Sequence, residues 1–141
     1  MLKLLQSGTP MAMRTYLVED NLSLRSSLMG ALEELAPVRT VGAAETQEEG
    51  AAWLRSNPAH WDLAIVDIFL KNGNGLKVLE ACRKRDALQK MVVFSNYATH
   101  EMRVWCAQLG VDAVFDKSDE IDELVAYCVR QSARLQPAQP S

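Results

Sequence analysis

The stretch Leu63 to Gly75 reads LAIVDIFLKNGNG. Four apolar residues, Leu63, Ala64, Ile65 and Val66, run without alternation into a single acid, Asp67, and a polar turn with two glycines follows. An unbroken apolar run of this length predicts a strand buried on both faces, as in parallel sheets covered by helices. A carboxylate inside such a strand would carry a large desolvation cost, but at the strand's carboxyl end it meets water, a metal or a cation. Asp67 is therefore the first functional candidate. Asn72 to Gly75 (NGNG) matches neither the P-loop nor the dinucleotide fingerprint, so it reads as a turn in which glycine or asparagine supplies positive φ.

Working outward, the same unit recurs. Thr15 to Val18 (TYLV) predicts a strand that stops at Glu19 and Asp20; Asn21 caps a helix carrying Leu24, Leu28, Ala31, Leu32 and Leu35, and Pro37 ends it. Val38 to Ala43 predicts a second strand near the sheet edge. Thr46 and Glu49 form a capping box for the helix through Ala51, Trp53 and Leu54. After Gly75 a helix is expected from about Leu76 to Arg85, its solvated end carrying Arg83, Lys84 and Arg85. Met91 to Phe94 is the fourth strand, ending at Ser95; Thr99 opens a helix with Met102, Trp105, Cys106 and Leu109 on one stripe, closed by Gly110. Ala113 to Phe115 is the fifth, followed by Asp116, Lys117 and a helix capped by Ser118 with Ile121, Leu124, Val125 and Cys128 inward.

Five strand–helix pairs predict an α/β fold: a doubly wound, flavodoxin-like five-stranded parallel sheet of order 2-1-3-4-5 with five helices in three layers. At 141 residues there is room for one domain, expected over 14–134. Residues 1–13 read as a disordered or loosely packed leader, and 135–141 as a disordered tail after which no output domain is expected.

Bulk properties narrow the function classes without choosing one. A net charge of -3 argues against a nucleic-acid surface or an anionic membrane, which call for clustered cations. Cys82, Cys106 and Cys128 are odd in number and widely spaced, so they read as packed, reduced thiols rather than a zinc site. With no signal peptide and no membrane span in view, a cytoplasmic protein is expected. His60 and His100 read as surface residues.

In a doubly wound sheet the site lies outside the carboxyl ends of the strands. Those ends carry Glu19, Asp20, Asp67, Ser95 and Lys117. Three close carboxylates repel unless a cation joins them, and oxygen donors of this kind suit Mg2+. Asp67 could then act as nucleophile toward a phosphoryl group, with Lys117 stabilising charge and the Ser95 hydroxyl hydrogen-bonding a phosphoryl oxygen.

The chain, from about Arg14 to Arg134, resembles the receiver domain of two-component response regulators. Glu19 and Asp20 match the family's acidic pair, Asp67 its phosphoacceptor, Ser95 its hydroxyl position and Lys117 its lysine. The resemblance implies that Asp20 and Asp67 ligate Mg2+ directly, Glu19 through water, and Phe69 through its backbone carbonyl. It also implies phosphorylation by a histidine kinase or phosphotransfer protein, and a shift of Ser95 that reshapes the face of the fourth helix, fifth strand and fifth helix for a protein partner. Such a chain is a phosphoacceptor rather than an enzyme, with at most self-phosphorylation and autodephosphorylation.

Four positions depart from the family pattern. Val114 stands where a Tyr or Phe usually rotates, Ser118 replaces a common proline, Lys71 replaces another, and Asn96 is bulkier than the usual small residue. Trp105 reads as core packing by default; exposed, it would be a partner anchor, and Tyr127 poses the same question on the last helix. Two other functions compete with a stand-alone receiver. A metal-dependent phosphohydrolase would use the same groups, yet Phe69 stands two residues after Asp67 where such enzymes place a second aspartate. A phosphate-independent interaction domain, cut from a DNA-binding regulator, is the other.

Overall fold

The computed structural model describes residues 12–135. Five apolar runs form strands paired in parallel: β1 (Met13–Val18), β2 (Val38–Ala44), β3 (Leu63–Val66), β4 (Lys90–Ser95) and β5 (Ala113–Asp116). Between and after them lie α1 (Leu22–Leu35), α2 (Gln47–Ser56), α3 (Gly75–Ala81), α4 (His100–Gln108) and α5 (Ile121–Arg134). The strand order is β2-β1-β3-β4-β5, the doubly wound order expected from the alternation.

The two-residue period of the strands divides the core in two. Tyr16, Val18, Ala64, Val66, Met91 and Val93 face Leu54 of α2, Val78 and Leu79 of α3, and Cys106 of α4. Their neighbours Met13, Leu17, Leu63, Ile65, Val92 and Phe94 face Leu28 and Leu32 of α1 and Leu124 and Cys128 of α5. All four residues of β3 are buried, as a central strand covered on both sides requires. The three cysteines are buried and free, and burial pushes the Cys82 and Cys128 thiols up to about 12, which keeps them protonated and unreactive.

Helix starts follow their caps. Asn21 accepts the Leu24 N–H at 3.0 Å, Thr46 the Glu49 N–H at 3.1 Å and Thr99 the Met102 N–H at 3.2 Å. Gly110, at φ 88, closes α4. The Glu49 carboxylate reaches back to the Glu45 N–H rather than to that of Thr46.

Several boundaries differ from the sequence reading. Met13, assigned to the leader, begins β1; it is buried, and its N–H donates to Pro37 O at 2.7 Å. Leu135, assigned to the tail, packs against the α1–α5 side of the core. The remaining leader and tail expectations concern residues outside those described. Leu35 is 57% exposed because Ala36, four residues after Leu32, takes its place on the buried stripe. The third helix ends at Ala81 rather than near Arg85. There the Arg85 guanidinium turns inward, donating to Gln89 O, Gly110 O and Asp112 Oδ2, so this residue does not lie on a solvated helix end. Ser118 does not cap the last helix: its N–H and hydroxyl both donate to Asp116 Oδ1, and α5 starts beyond Glu120.

Candidate functional site

Parallel register brings the polar strand ends together. Val18 lies opposite Val66, Val66 opposite Val93, and Ser95 opposite Asp116, so the residues that follow each strand emerge side by side. Backbone bonds extend the ladders past the strand ends. The Asp67 N–H donates to Val18 O at 3.0 Å, the Glu19 N–H to Ala44 O at 3.0 Å and the Lys117 N–H to Ser95 O at 2.9 Å. Position is thus imposed by the sheet rather than by the loops.

One ammonium joins two of the acids. Lys117 Nζ lies 2.6 Å from Glu19 Oε1 and 2.8 Å from Asp67 Oδ2, with all three side chains under a tenth exposed. Amides hold the other oxygens: Asn21 N–H donates to Glu19 Oε2 at 3.1 Å and Phe69 N–H to Asp67 Oδ1 at 3.1 Å. Asp20, partly exposed, does not share Lys117; its Oδ2 accepts the Lys71 N–H at 2.5 Å.

Burial pushes the Glu19 carboxyl above its usual range, against the pull of Lys117 and of the Asn21 amide. Burial also opposes the charge on Lys117, but hydrogen bonds to Asp67 and Glu19 outweigh it and hold the ammonium's pKa above its usual 10.5. Oxygens of Glu19, Asp20 and Asp67 lie within 4.8 Å of one another. Three carboxylates against one ammonium leave an excess of hard, anionic oxygen, and such a donor set fits a divalent cation of the Mg2+ type.

Ser95 is fully buried at the same end of the sheet, its Oγ accepting the Tyr97 N–H at 3.3 Å. Phe69 is half exposed, and its ring meets Tyr97 edge-on. Of the departing positions, Asn96 and Lys71 are exposed, and the Lys117–Ser118 peptide is trans. Val114 is half-buried beside the α2–α4 side of the core. Trp105 is 43% exposed and Val104 beside it 45%, so the core-packing reading of Trp105 gives way to the exposed one. Tyr127 is buried with its ring edge-on to Phe115, centroids 5.6 Å apart. It therefore belongs to the core and is withdrawn from the partner face.

Four features had no sequence signal. Arg103 on α4 donates to Ala98 O at 3.2 Å and Val114 O at 2.7 Å, and pairs with Glu120 at 2.7 Å, tying α4 to β5 and the start of α5. The Phe69–Tyr97 contact and the Lys71 amide depend on loops meeting in space, which no spacing rule reveals. A groove lined by Arg14, Trp61, Asp62 and Gln89 lies at the amino-terminal end of the strands, remote from the acids. No helix among the described residues is long and apolar enough to cross a membrane.

Comparison with known proteins bears on the family and the fold. The family model described as the response regulator receiver domain matches residues 15–128. The acid tolerance regulatory protein ActR of Rhizobium meliloti is 31% identical over 122 residues, covering 86% of this chain and 61% of that protein. The photosynthetic apparatus regulatory protein RegA of Rhodobacter capsulatus is 27% identical over 122 residues, covering 86% and 64%. The chain thus spans about six-tenths of the length of these curated relatives. Among solved structures, a CheY-like response regulator receiver domain protein from Methanospirillum hungatei aligns with a TM-score of 0.73 at 25% identity, over 87% of this chain and 95% of that one.

Proposed function

The chain belongs to the response regulator receiver domain family, and from that premise we propose that it accepts a phosphoryl group on Asp67 and thereby switches a protein-binding face. The observation that carries this reading is Lys117 Nζ lying between Glu19 and Asp67 with Asp20 alongside. A nucleophilic carboxylate, a fixed cation and spare acidic oxygens are what phosphoryl transfer to an aspartate needs.

In the proposed step an Asp67 carboxylate oxygen attacks phosphorus, forming an O–P bond as the bond to the donor's leaving atom breaks. With a histidine kinase or phosphotransfer protein that leaving atom is an imidazole nitrogen. Lys117 is already within ion-pair distance of Asp67 and balances charge gathering on the transferred oxygens. Asp20, Asp67, the Phe69 carbonyl and, through water, Glu19 would hold Mg2+, which when bound neutralises further charge. Ser95 Oγ, now accepting from the Tyr97 amide, exchanges that contact for a phosphoryl oxygen and draws the β4–α4 loop inward. The exposed Val104 and Trp105 on α4, with β5 and the start of α5, form the face that a downstream partner reads.

Incubation with acetyl phosphate and Mg2+ is expected to label the wild-type chain and not Asp67→Asn. Equal labelling of both would remove this function. Sustained phosphomonoester turnover would instead favour a phosphohydrolase, against which Phe69 stands, since its side chain offers no general acid two residues after the nucleophile.

A further inference from the structure

Asp20 is the acid of the pocket that Lys117 does not reach, yet it makes the shortest contact there, the 2.5 Å bond from the Lys71 N–H to its Oδ2. Two buried carboxylates beside it repel it toward solvent. What holds it against them is a backbone amide, while the Lys71 side chain stands exposed. Only one of its oxygens is taken, and the other remains for the pocket.

The loop that presents this amide is pinned from its far side by Gln47, the first residue of α2. Gln47 Oε1 accepts the Asn74 N–H at 3.0 Å, and Gln47 N–H donates to Asn72 O at 3.2 Å. Gly73, at φ +87, lies so close that an added Cβ would stand 2.5 Å from Gln47 Cβ. Asn74 then caps α3, and the Gly75 N–H returns to Ile68 O at 2.8 Å. The chain of contacts runs from α2 through Gln47 to the loop, and from the loop through the Lys71 amide to Asp20.

We infer that the Lys71 amide and Gln47 are positioning groups for cation uptake: the amide aims the Asp20 carboxylate into the pocket, and Gln47 fixes the amide. Gln47 is tied to loop backbone rather than to any of the three acids. The inference rests on the reading of the acidic pocket as a divalent-cation site. Hydrogen-bond donors behind a metal's carboxylate ligands set its affinity because they preserve the ligand's orientation when the metal is absent.

Calorimetric titration of MgCl2 into the full chain tests it. Lys71→Pro, which lacks the N–H, is expected to bind about tenfold more weakly than wild type. Its loss should exceed that of Lys71→Ala, which keeps the N–H, by about fivefold. Gln47→Leu is expected to weaken binding in the same direction. In the wild type, the Lys71 amide proton should hold its downfield, carboxylate-bonded position throughout the titration. That readout and Gln47→Leu decide the matter even if Lys71→Pro fails to fold. Wild-type affinity in Lys71→Pro and Gln47→Leu overturns the inference, as does equal loss in Lys71→Ala, or movement of the Lys71 amide to a solvent-like shift as Mg2+ loads. A wild-type chain that takes up Mg2+ while the variants match it defeats this inference alone; a wild-type chain that takes up none defeats the proposed function with it.

Discussion

The rings of Phe69 and Tyr97 meet edge to face, centroids 4.9 Å apart and planes at 73°, although they come from loops after different strands. Each stands two residues beyond a site residue and donates its amide to it, Phe69 to Asp67 and Tyr97 to Ser95. Both rings are at least half exposed, so their contact spans the gap between the two loops. An aromatic pair contributes about 1 kcal/mol, and if that resists opening to water it slows hydrolysis about fivefold. Phe69→Ala should therefore lose its phosphoryl label faster than wild type once donor is removed. A decay rate equal to or below that of wild type defeats the prediction.

Lys117→Ala leaves Glu19 and Asp67 buried without their cation. Removal of one partner from a buried pair costs about 3 kcal/mol. Urea unfolding should show a loss of that size, partly restored by millimolar Mg2+. A midpoint insensitive to Mg2+ would contradict the shared-cation account.

Alkaline stability should carry the same signature. Hydrogen bonds to Asp67 and Glu19 outweigh burial and raise the Lys117 pKa above its ordinary 10.5. Its contribution is complete below pH 10.5 and lost as pH rises through the folded-state value. Tyr16 and Tyr127 act in the same sense. Burial pushes both up to about 12 from 10.0, so the unfolded chain ionises first and gains between those values. Lys117→Met should fall less steeply than wild type above pH 10.5 in a pH series of unfolding midpoints, and parallel curves would exclude the lysine's share.

Much of this was readable from residue order. The apolar runs set five strands, and a parallel sheet necessarily gathers their carboxyl ends, so residue order alone places Glu19, Asp20, Asp67, Ser95 and Lys117 together. What could not be read depends on side chains crossing between elements. Arg85 looked like part of a solvated basic run, yet its partner Asp112 lies 27 positions on. Tyr127 and Trp105 both sit on amphipathic helices. Only the rotation of each helix against the sheet decides that Tyr127 packs on Phe115 while Trp105 faces out.

Gly75 is required for space rather than for backbone angle. A Cβ there would fall inside contact distance of Asp67 O and lie 2.7 Å from Ile68 Cα, both on the backbone that carries the Asp67 carboxylate. Overpacking of this kind costs about 1–3 kcal/mol. Gly75→Ala should lower the urea midpoint and slow phosphoryl uptake together. Normal uptake in a destabilised variant would separate the two.

Arg103 joins the Ala98 carbonyl, three residues after Ser95, to Val114 and Glu120. With valine at position 114, no ring is available there to carry motion toward α5. Beryllofluoride with Mg2+ should change the emission of the half-exposed Trp105, and Arg103→Ala should lose most of that change. The Arg103–Glu120 pair is partly solvated and contributes about 1 kcal/mol or less, and with the two carbonyl bonds also lost the substitution should cost about 2 kcal/mol in stability. An undiminished response would show that the coupling runs elsewhere.

Lys117 follows β5, a four-residue strand bonded to the sheet on one side only, yet its ammonium lies over the ends of β1 and β3. The outermost strand is in effect moored across its neighbour by a counter-ion. A cation held among these acids would compete with Lys117 for Glu19 and Asp67, so the tie between the margin of the sheet and its centre is one that charge can loosen.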